Sequence, residues 1–571
     1  MKTTIKLVGL TAALSAALIA LAFAREQSSE SRFVTSPEMQ VALASITSEE
    51  LLRHVKALAS DQFEGRAPGT RGEELTVNYL IEQFKQFGLK PGNPDGAYVQ
   101  QAPLIGIKSR ATASFVASGQ PLALRFPEDY AAFSPRPVSE ITVQDADIVF
   151  AGYGILAPEY GWDDYKGSDV RGKTLLMLLG EPQVPDPSDP TKLDDKMFKG
   201  RAKSYYALWY HKLRVAAEKG AAAAIFVLEN QPGAATYETT VTDLRREALY
   251  LKANRNDKSV KIVAVVSLDG AKKLMAGGGR DLESLQRAAQ RKDFKPLPLE
   301  AKASFRVQNK VREFMSRNVV ALCEGADTKL RNEYVIYTAH WDHLGRDESL
   351  TGDQIYNGAL DNATGTAGLL AIAQAYQKMR PAPRRSILFL ATTAEEEGLL
   401  GARHYALRPL YPLSRTLANI NMDGFFPFGR TKDVINFTAG YSTLDEVVNQ
   451  VASAQGRVVK PDFLPSGGTL YRSDHFEFAK AGVPFLFATS GLEAVGKPGG
   501  YAVGKLLEYN KHYHNVSDEV RPDWDFSGVA EDAQLFFMIG YRVAQTDRYP
   551  EWKPGSEFKR QPEAGQKRAR R

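Results

Sequence analysis

Three short apolar runs in the C-terminal half of this chain each lead into imidazole or carboxylate side chains. The runs and the groups that follow them are residues 334–339 with His340 and Asp342, residues 385–392 with Glu395 and Glu396, and residues 417–422 with Asp423. Runs this short and this rich in Ile, Leu and Phe are typical of buried strands in a parallel sheet. Ligands of open α/β sheets bind outside the carboxyl ends of such strands. We therefore expect these polar groups to meet at one edge of one sheet.

The second half of the chain, residues 291–550, alternates strand-like and helix-like segments. Small and apolar residues recur at helical spacing over 363–378, and further strand-like runs lie at 434–438 and 484–488. Strands that alternate with helices form crossover units, which build a mainly parallel sheet covered by helices on both faces. The predicted fold class is thus α/β, with a mainly parallel mixed sheet flanked by helices. Residues 25–140 are assigned to the N-terminal part of the same domain.

Residues 141–290 have a different texture. Short strand-like runs alternate there with Gly- and Pro-rich turns, and the loop 181–190 alone holds four prolines. No cluster of His and acidic residues is found in this segment, so it is predicted to be a small β-rich domain inserted before the catalytic sheet is complete. A lid or substrate-access module is the default interpretation, and a plain spacer is the alternative.

The N-terminus has the pattern of a targeting segment. Lys2 and Lys6 precede the apolar residues 7–23, which close with a small-x-small cleavage pattern. Residues 1–24 are predicted to be a signal peptide, which would make the mature protein periplasmic or secreted and free of the membrane. A retained membrane anchor is the competing interpretation, because the run approaches the length of a bilayer span.

The charge of the chain lies mostly at its ends. The formal net charge is +5, of which residues 553–571 carry +5 and the leader lysines +2, so the remaining body has a charge of −2. A basic surface for nucleic acid is therefore not expected, and the tail 551–571 is predicted to be a disordered, solvated end. Cys323 is the only cysteine, which excludes an internal disulfide.

Two imidazoles and three carboxylates form a candidate metal-ligand set. The five residues are His340, Asp361, Glu396, Asp423 and His514. Nitrogen and oxygen ligands without thiolate suit zinc, and manganese or cobalt are alternatives. A single catalytic zinc needs three protein ligands, so five ligands indicate two ions bridged by one carboxylate. Asp361, in a loop that enters a helix of small residues, is the best candidate for the bridge.

The adjacent residues Glu395 and Glu396 point in different directions once the strand has ended. One of them can ligate metal while the other faces the bound water as a general base. Asp342 lies two positions after His340 and is predicted to orient that imidazole through a hydrogen bond.

Five motifs in this order resemble the co-catalytic di-zinc exopeptidases, a family that includes bacterial leucyl aminopeptidases, aminopeptidase Y and glutamate carboxypeptidase II. The motifs are residues 340–345 (HWDHLG), 357–362 (NGALDN), 394–401 (AEEEGLLG), 421–423 (NMD) and 513–514 (YH). The inserted segment resembles a protease-associated domain through residues 149–154 (VFAGYG). The resemblance spans residue 45 to about residue 552.

The resemblance implies a role for each residue. His340 and Asp423 would hold one zinc ion, Glu396 and His514 the other, and Asp361 would bridge the two. Glu395 would be the general base, with Asp342 supporting His340. The family also implies a cis peptide bond after the bridging aspartate, at Asp361–Asn362. Tyr471 and Tyr513 are both candidates for stabilising the oxyanion, and the sequence does not choose between them.

The resemblance therefore implies an exported zinc metalloaminopeptidase that removes N-terminal residues from peptides. A metal-bridging hydroxide would attack the scissile carbonyl, with Glu395 as the general base. A carboxypeptidase of the same family is the first alternative, and it would need an arginine cluster for the substrate carboxylate. The alternative from another class is a receptor-like binding protein on the same scaffold. Side-chain preference and oligomeric state are not readable from the sequence.

Overall fold

A computed structural model describes residues 36–229, 236–252, 259–277 and 279–559. The predicted signal peptide 1–24 and the last twelve residues of the predicted tail lie outside these ranges. One large sheet passes through two hydrophobic units. We call the unit that contains the predicted metal ligands the catalytic-side unit, and the unit that contains most of residues 141–290 the inserted unit. Among the described helices none combines the length and the apolar character that a bilayer span needs.

The β-strands are numbered in chain order. They are β1 Lys90–Pro91, β2 Val99–Ala117, β3 Gln120–Leu122, β4 Tyr130–Phe133, β5 Glu140–Phe150, β6 Leu156–Ala157, β7 Trp162–Asp163, β8 Thr174–Leu178, β9 Ala223–Leu228, β10 Ala248–Leu251, β11 Ile262–Ser267, β12 Leu297–Cys323, β13 Tyr334–His340, β14 Gly345–Arg346, β15 Ile355–Tyr356, β16 Ser386–Thr392, β17 Thr416–Asn421, β18 Asp433–Asn436, β19 Val458–Pro461 and β20 Phe485–Ser490.

The α-helices are numbered in the same way. They are α1 Pro37–Ala44, α2 Ser48–Leu58, α3 Arg71–Phe87, α4 Trp209–Glu218, α5 Tyr237–Leu244, α6 Leu268–Gly277, α7 Leu282–Ala289, α8 Thr364–Lys378, α9 Leu400–Leu407, α10 Leu444–Ala454, α11 His475–Lys480, α12 Tyr501–Tyr509 and α13 Ser527–Gln545.

The catalytic-side unit has a parallel core of four neighbouring strands, in the order β16, β13, β17 and β20. Every residue of β13 and β16 is buried, as expected for strands covered on both faces. Helices α8 and α13 and the N-terminal helices α1–α3 contribute to the same hydrophobic core. The predicted α/β class with a mainly parallel, helix-flanked sheet is confirmed. The ends of β13, β16 and β17 agree with the three apolar runs to within one residue, and β18 and β20 differ from the runs 434–438 and 484–488 by up to two.

The strand β12 belongs to both units. Most of its length pairs with β2, from Ala301–Ala117 to Val319–Val99, and its last residues pair with β16 of the catalytic-side sheet. Along its first half, buried and exposed residues alternate, so that Leu299, Ala303 and Phe305 enter the core while Arg306 faces outward. The ribbon of β2 and β12 thus connects the two units with continuous backbone pairing.

The inserted unit has its own parallel core, made of β5, β8, β9 and β11. Its hydrophobic core includes Phe115 on β2 and Phe305 on β12, which lie outside the predicted bounds 141–290. The likeness of this unit to a protease-associated domain stays a prediction. At the other end of the chain, Trp552 and Phe558 of the predicted tail pack against Phe485.

The contact between helix α13 and strand β13 leaves no room for a side chain at position 540. A Cβ atom on Gly540 would lie 1.8 Å from the Tyr337 hydroxyl oxygen. Gly540→Ala should therefore lower the free energy of unfolding by about 3 kcal/mol through overpacking. The matched control is Gly504→Ala on α12, where an added Cβ has nothing within 4 Å. Equal melting temperatures of the two variants would refute the close packing of α13 on the sheet.

Candidate metal centre

The five predicted metal ligands come together at the carboxyl edge of the parallel strands. Each comes from a different segment of the chain: His340 ends β13, Asp361 lies in the turn before α8, Glu396 follows β16, Asp423 follows β17, and His514 follows α12. Four of them, together with the predicted base Glu395, form two overlapping groups whose ligand atoms lie within 4.8 Å of one another, His340–Asp361–Glu396 and His340–Glu395–Asp423. His514 joins the cluster through contacts with Asp361 and Glu396. Convergence from five segments is what the sequence pattern predicts.

Asp361 stands between the two imidazoles. Its Oδ1 atom lies 3.3 Å from Nε2 of His340, and its Oδ2 atom lies 3.3 Å from Nε2 of His514. Each imidazole has one further carboxylate of its own. Asp423 Oδ1 lies 3.2 Å from His340 Nε2, and Glu396 Oε2 lies 3.0 Å from His514 Nε2. The set therefore divides into two halves that share one carboxylate.

The electrostatics of this cluster fit a site for cations. Burial disfavours the protonated form of His340, but Glu395, Asp423 and Asp361 outweigh burial and raise the pKa of His340 well above its usual range. Glu396 and Asp361 do the same for the pKa of His514. His514 Nε2 is also buried, and its contacts with the Asp361 and Glu396 oxygens lack the geometry of a hydrogen bond. The cluster thus combines imidazole nitrogens with carboxylate oxygens, which is the donor set that zinc uses. Because the carboxylates are shielded from water, a bound cation would stabilise their negative charge.

The loop after β16 turns sharply and so presents both glutamates to the cluster. Ala394 and Leu399 have positive φ angles of 51° and 62°, and the N–H groups of Gly398 and Leu399 both donate to the carbonyl oxygen of Glu395. Gly401 permits this turn, because a Cβ atom there would lie 2.3 Å from the Thr393 carbonyl oxygen. Gly401, four residues after the acidic run, is thus a packing requirement.

The Asp361 turn is fixed by a second aspartate. Asp518 accepts hydrogen bonds from the backbone N–H groups of Leu360 and Asp361 at 3.1 Å each. The sequence suggests an alternative role for Asp518, as a hydrogen-bond partner of the His514 imidazole, but its carboxylate is directed to the Asp361 turn. The peptide bond Asp361–Asn362 is cis, as the family resemblance implies.

Asp342 contacts His340 and Glu395, and its contact with His340 differs from the predicted side-chain hydrogen bond. His340 Nδ1 lies 3.2 Å from the backbone carbonyl oxygen of Asp342 and 3.9 Å from its carboxylate Oδ1. Because a carbonyl oxygen only accepts, Nδ1 carries the proton and Nε2 is left free to bind a cation. The Asp342 side chain instead accepts the backbone N–H of Glu395 at 3.1 Å. Burial raises the pKa of the Asp342 carboxyl to about 8.

The two candidate tyrosines have different surroundings. The Tyr471 hydroxyl lies 3.1 Å from Lys199 Nζ and 3.1 Å from Glu557 Oε1, in a cluster that joins the inserted unit to the C-terminal segment. The Tyr513 ring stacks on the His514 imidazole, with 3.9 Å between ring centroids. Tyr513 therefore lies directly at the centre, whereas the Tyr471 hydroxyl is engaged elsewhere.

Two residues at the centre were missed by sequence reasoning. His343 is not among the predicted ligands, yet its Nδ1 atom lies 2.6 Å from Glu396 Oε1 and orients that carboxylate. Arg66 is 1% exposed. Its guanidinium donates to four backbone carbonyls, those of Leu58, Trp341, Asn357 and Gly358. It therefore ties the segments that carry His340 and Asp361. In the sequence, only the position of His343 in the first motif, three residues after His340, indicates a role at the site. No sequence pattern distinguishes Arg66 from other arginines in loops.

A polar network beneath the centre fixes the segment 471–475. His475 Nε2 donates to the Leu470 carbonyl oxygen at 2.8 Å, so its Nδ1 atom is unprotonated and accepts from Asn421 Nδ2 at 3.4 Å. Asn421 Nδ2 also donates to Ser473 Oγ at 2.7 Å. This network anchors the segment to β17, the strand that delivers Asp423.

Comparison with known proteins identifies the part of the chain that holds these residues. A family model described as "Peptidase family M28" matches residues 318–538, which contain all five predicted ligands. Aminopeptidase NAALADL1 of Mus musculus is 36% identical over 133 residues, covering 22% of this chain and 16% of that protein. The vacuolar membrane protease of Verticillium alfalfae is 30% identical over 210 residues, covering 37% of this chain and 17% of that protein. This chain thus matches less than a fifth of the length of either relative.

A solved structure shares the fold. The aminopeptidase from Aneurinibacillus sp. strain AM-1 superposes with a TM-score of 0.51 at 18% identity, covering 91% of this chain and 99% of that one. Together with the family match, this confirms the predicted resemblance to the zinc exopeptidases.

Replacement of the buried Arg66 should disturb the whole centre. Arg66→Lys keeps the charge but cannot reach four carbonyl groups with one ammonium, so we expect a loss of about 3 kcal/mol in the free energy of unfolding and weaker metal binding. Arg71→Lys, at a site whose side chain is 69% exposed, is the matched control. Thermal unfolding and zinc titration of both variants measure the effect, and identical behaviour would contradict the bracing role of Arg66.

The buried His475 predicts a loss of stability in acid. Burial lowers the pKa of His475 to about 3, well below the ordinary value of 6.5. The folded state thus binds fewer protons than the unfolded state between these values, and stability falls as the pH drops below 6.5. At pH 4.5 the loss is about 3 kcal/mol.

The variant His475→Gln tests this. Glutamine can keep both hydrogen bonds and does not titrate, so its melting temperature should fall less than that of wild type between pH 7 and pH 4.5. Parallel curves for the two proteins over this range would show that His475 does not contribute.

Proposed function

From the premise that residues 318–538 are a peptidase family M28 domain, we propose that the chain is a zinc metalloaminopeptidase that hydrolyses the N-terminal residue from peptides. The single observation that carries this proposal is the position of Asp361, whose two carboxylate oxygens lie 3.3 Å from two different imidazoles. A carboxylate placed in this way could be shared between two cations, one on the side of each imidazole.

The donor atoms divide naturally between two zinc ions. His340 and Asp423 would hold one, Glu396 and His514 the other, and Asp361 would be shared. Zinc ions bound there supply Lewis acidity, which lowers the pKa of water toward about 7 and polarises a carbonyl group. His343 keeps Glu396 oriented, and Asp342 keeps the proton of His340 on Nδ1, away from the cation.

Glu395 is the proposed general base. Its Oε2 atom lies 3.9 Å from His340 Nε2, beside the cluster, and its backbone is held by Asp342. Burial and the neighbouring carboxylates raise the pKa of Glu395 well above its usual range, which favours proton uptake. Glu395 would take a proton from the attacking water and pass it to the leaving amine nitrogen.

Tyr513 is the better candidate for binding the oxyanion. Its ring lies on His514, and its hydroxyl oxygen is 3.4 Å from Arg472 Nη2, so a phenol O–H and a guanidinium stand together at the rim. Donors placed where negative charge develops lower the barrier.

Export to the periplasm or the cell exterior is proposed on the N-terminal sequence pattern alone.

A substitution at Glu395 tests the assignment of the base. Glu395→Gln should reduce kcat at least about 10³-fold, because the amide cannot take up the proton. Its zinc content by mass spectrometry should stay at the wild-type level. Asp361→Asn, in contrast, should lose both metal and activity, while Glu446→Gln on the exposed face of α10 should change neither. Loss of zinc from Glu395→Gln would move Glu395 into the ligand set.

A panel of peptides tests which terminus is cut. Peptides with a free amine should be hydrolysed whether their C-terminus is free or amidated, whereas N-acetylated peptides should be inert. Cleavage of acetylated peptides that requires a free carboxylate would replace the aminopeptidase by the carboxypeptidase. Bound zinc without any chelator-sensitive hydrolysis would favour a binding protein on this scaffold.

A further inference from the structure

A large cleft begins at the metal centre and runs between the two units. Its volume is about 1230 Å³, and Asp342, His343 and Glu396 line the end at the metal centre. Sites for small ligands have volumes of about 300–1,000 Å³. The single residue that an aminopeptidase removes needs only a part of such a space. The cleft therefore has room for the rest of the peptide, on the leaving-group side of the scissile bond.

The ribbon of β2 and β12 lines the cleft with cations. Lys108 and Arg110 come from β2, and Arg306 and Arg312 come from β12. Their exposure follows from the alternation of the two strands, whose other face supplies the core of the inserted unit. Four positive side chains are thus presented to one side of the cleft.

Other segments that line the cleft add more positive charge. Arg245 and Arg246 follow helix α5, and Arg346 lies on β14. Among the described residues, seven cationic side chains line the cleft, against Glu64, Glu247 and Asp347 away from the metal centre and Asp342, Glu396 and Glu397 beside it. The body of the chain has a net charge of −2, so this concentration of positive charge is local to the cleft.

Part of this charge is not neutralised within the protein. Arg312 is paired with Glu247 at 2.6 Å, and Arg306 with Glu140 at 2.8 Å. Lys108, Arg110 and Arg245 have no ion-pair or hydrogen-bond partner for their side chains among the residues that the structure describes. Unpaired cations that line a cleft focus a positive potential, which attracts anionic substrates.

Arg246 provides an unmet hydrogen-bond donor. Its guanidinium lies on the Tyr356 ring, 4.3 Å from the ring centroid, and Asp243 is no closer than 3.9 Å. The Nη1 atom is buried and has no hydrogen-bond acceptor. The side chain of Arg246 is 21% exposed, and a stacked, partly exposed guanidinium with unpaired N–H groups is pre-organised to receive a carboxylate.

We propose that this cleft binds carboxylates of the peptide substrate on the leaving-group side, so that the enzyme prefers acidic peptides. The inference rests on the proposed peptidase function and adds a substrate class to it. Arg246 binds the carboxylate nearest the metal centre, and Lys108, Arg110 and Arg245 attract those farther along. The carboxylate comes from an acidic side chain or from the C-terminus of a short peptide, because both present the same group.

Matched peptides test this preference. Free-amine peptides that carry Glu at the third and fourth positions should be hydrolysed with a kcat/KM about tenfold higher than the same peptides with Gln. The advantage should shrink in 0.5 M NaCl, because salt screens exposed charges. Amidation of the C-terminus in both series separates the two sources. A preference for Glu over Gln that survives amidation comes from side chains, whereas a fall in kcat/KM on amidation comes from the C-terminal carboxylate.

Substitutions then locate the effect. Arg246→Gln and Arg110→Gln should each reduce the ratio of kcat/KM for the Glu peptide to that for the Gln peptide. Arg110 is exposed and unpaired, so its replacement does not endanger folding. Arg287→Gln, an exposed arginine on α7 outside the cleft, is the matched control and should leave the ratio unchanged.

A binding measurement keeps the inference separate from catalysis. The full-length Glu395→Gln protein should bind the Glu peptide about tenfold more tightly than the Gln peptide by calorimetry. Equal binding and equal kcat/KM would overturn the acidic preference and leave the aminopeptidase intact. Preferential binding without cleavage of any free-amine peptide would uphold the cleft and overturn the proposed function.

Discussion

The candidate site depends on bringing several carboxylates together in a pocket that is shielded from solvent. Asp361, Glu395 and Glu396 lie in a pocket that is largely closed to solvent, beside Asp342 and Asp423. Buried charges of one sign are expensive unless opposite charge is supplied. The two imidazoles, and the cations that we propose to bind there, would supply it at the cluster. The requirement explains why five segments must end at one point, since no single helix or loop could present these groups together.

The protein supplies a further part of this charge from behind the site. Arg66 is fully desolvated, and burial lowers its pKa to about 10, although nearby carboxylates including Asp342 and Asp518 oppose the shift. Because its guanidinium binds only backbone carbonyl oxygens, the side chains of the cluster stay free for cations. Arg66 thus serves as a fixed counter-charge and as a clamp on the loops after β13 and β15.

The sequence predicted the parts of the structure that follow a local pattern. The strands that deliver His340 and Asp423 are continuous apolar runs, and such runs can be read without any tertiary information. The ribbon of β2 and β12 was missed, because its alternation of polar and apolar residues is diluted by charged side chains on the outward face. Arg66 and Phe558 were missed for another reason: an arginine in a loop and an aromatic residue in a basic tail are identified as buried only by their partners.

The two units divide the work of the site between them. All five candidate ligands belong to the catalytic-side unit, whereas Lys108, Arg110 and Arg245 come from the ribbon and the inserted segment. The inserted segment also contacts the acidic loop, because the backbone N–H of Leu249 donates to Glu397 at 3.2 Å. A substitution in the inserted unit would therefore alter which peptides bind without replacing a metal-ligand residue. A shift of β10, in contrast, would be transmitted to the loop that carries Glu395, the proposed general base. The proposed selectivity and the proposed catalysis thus belong to different segments, and the contact between β10 and the acidic loop couples them.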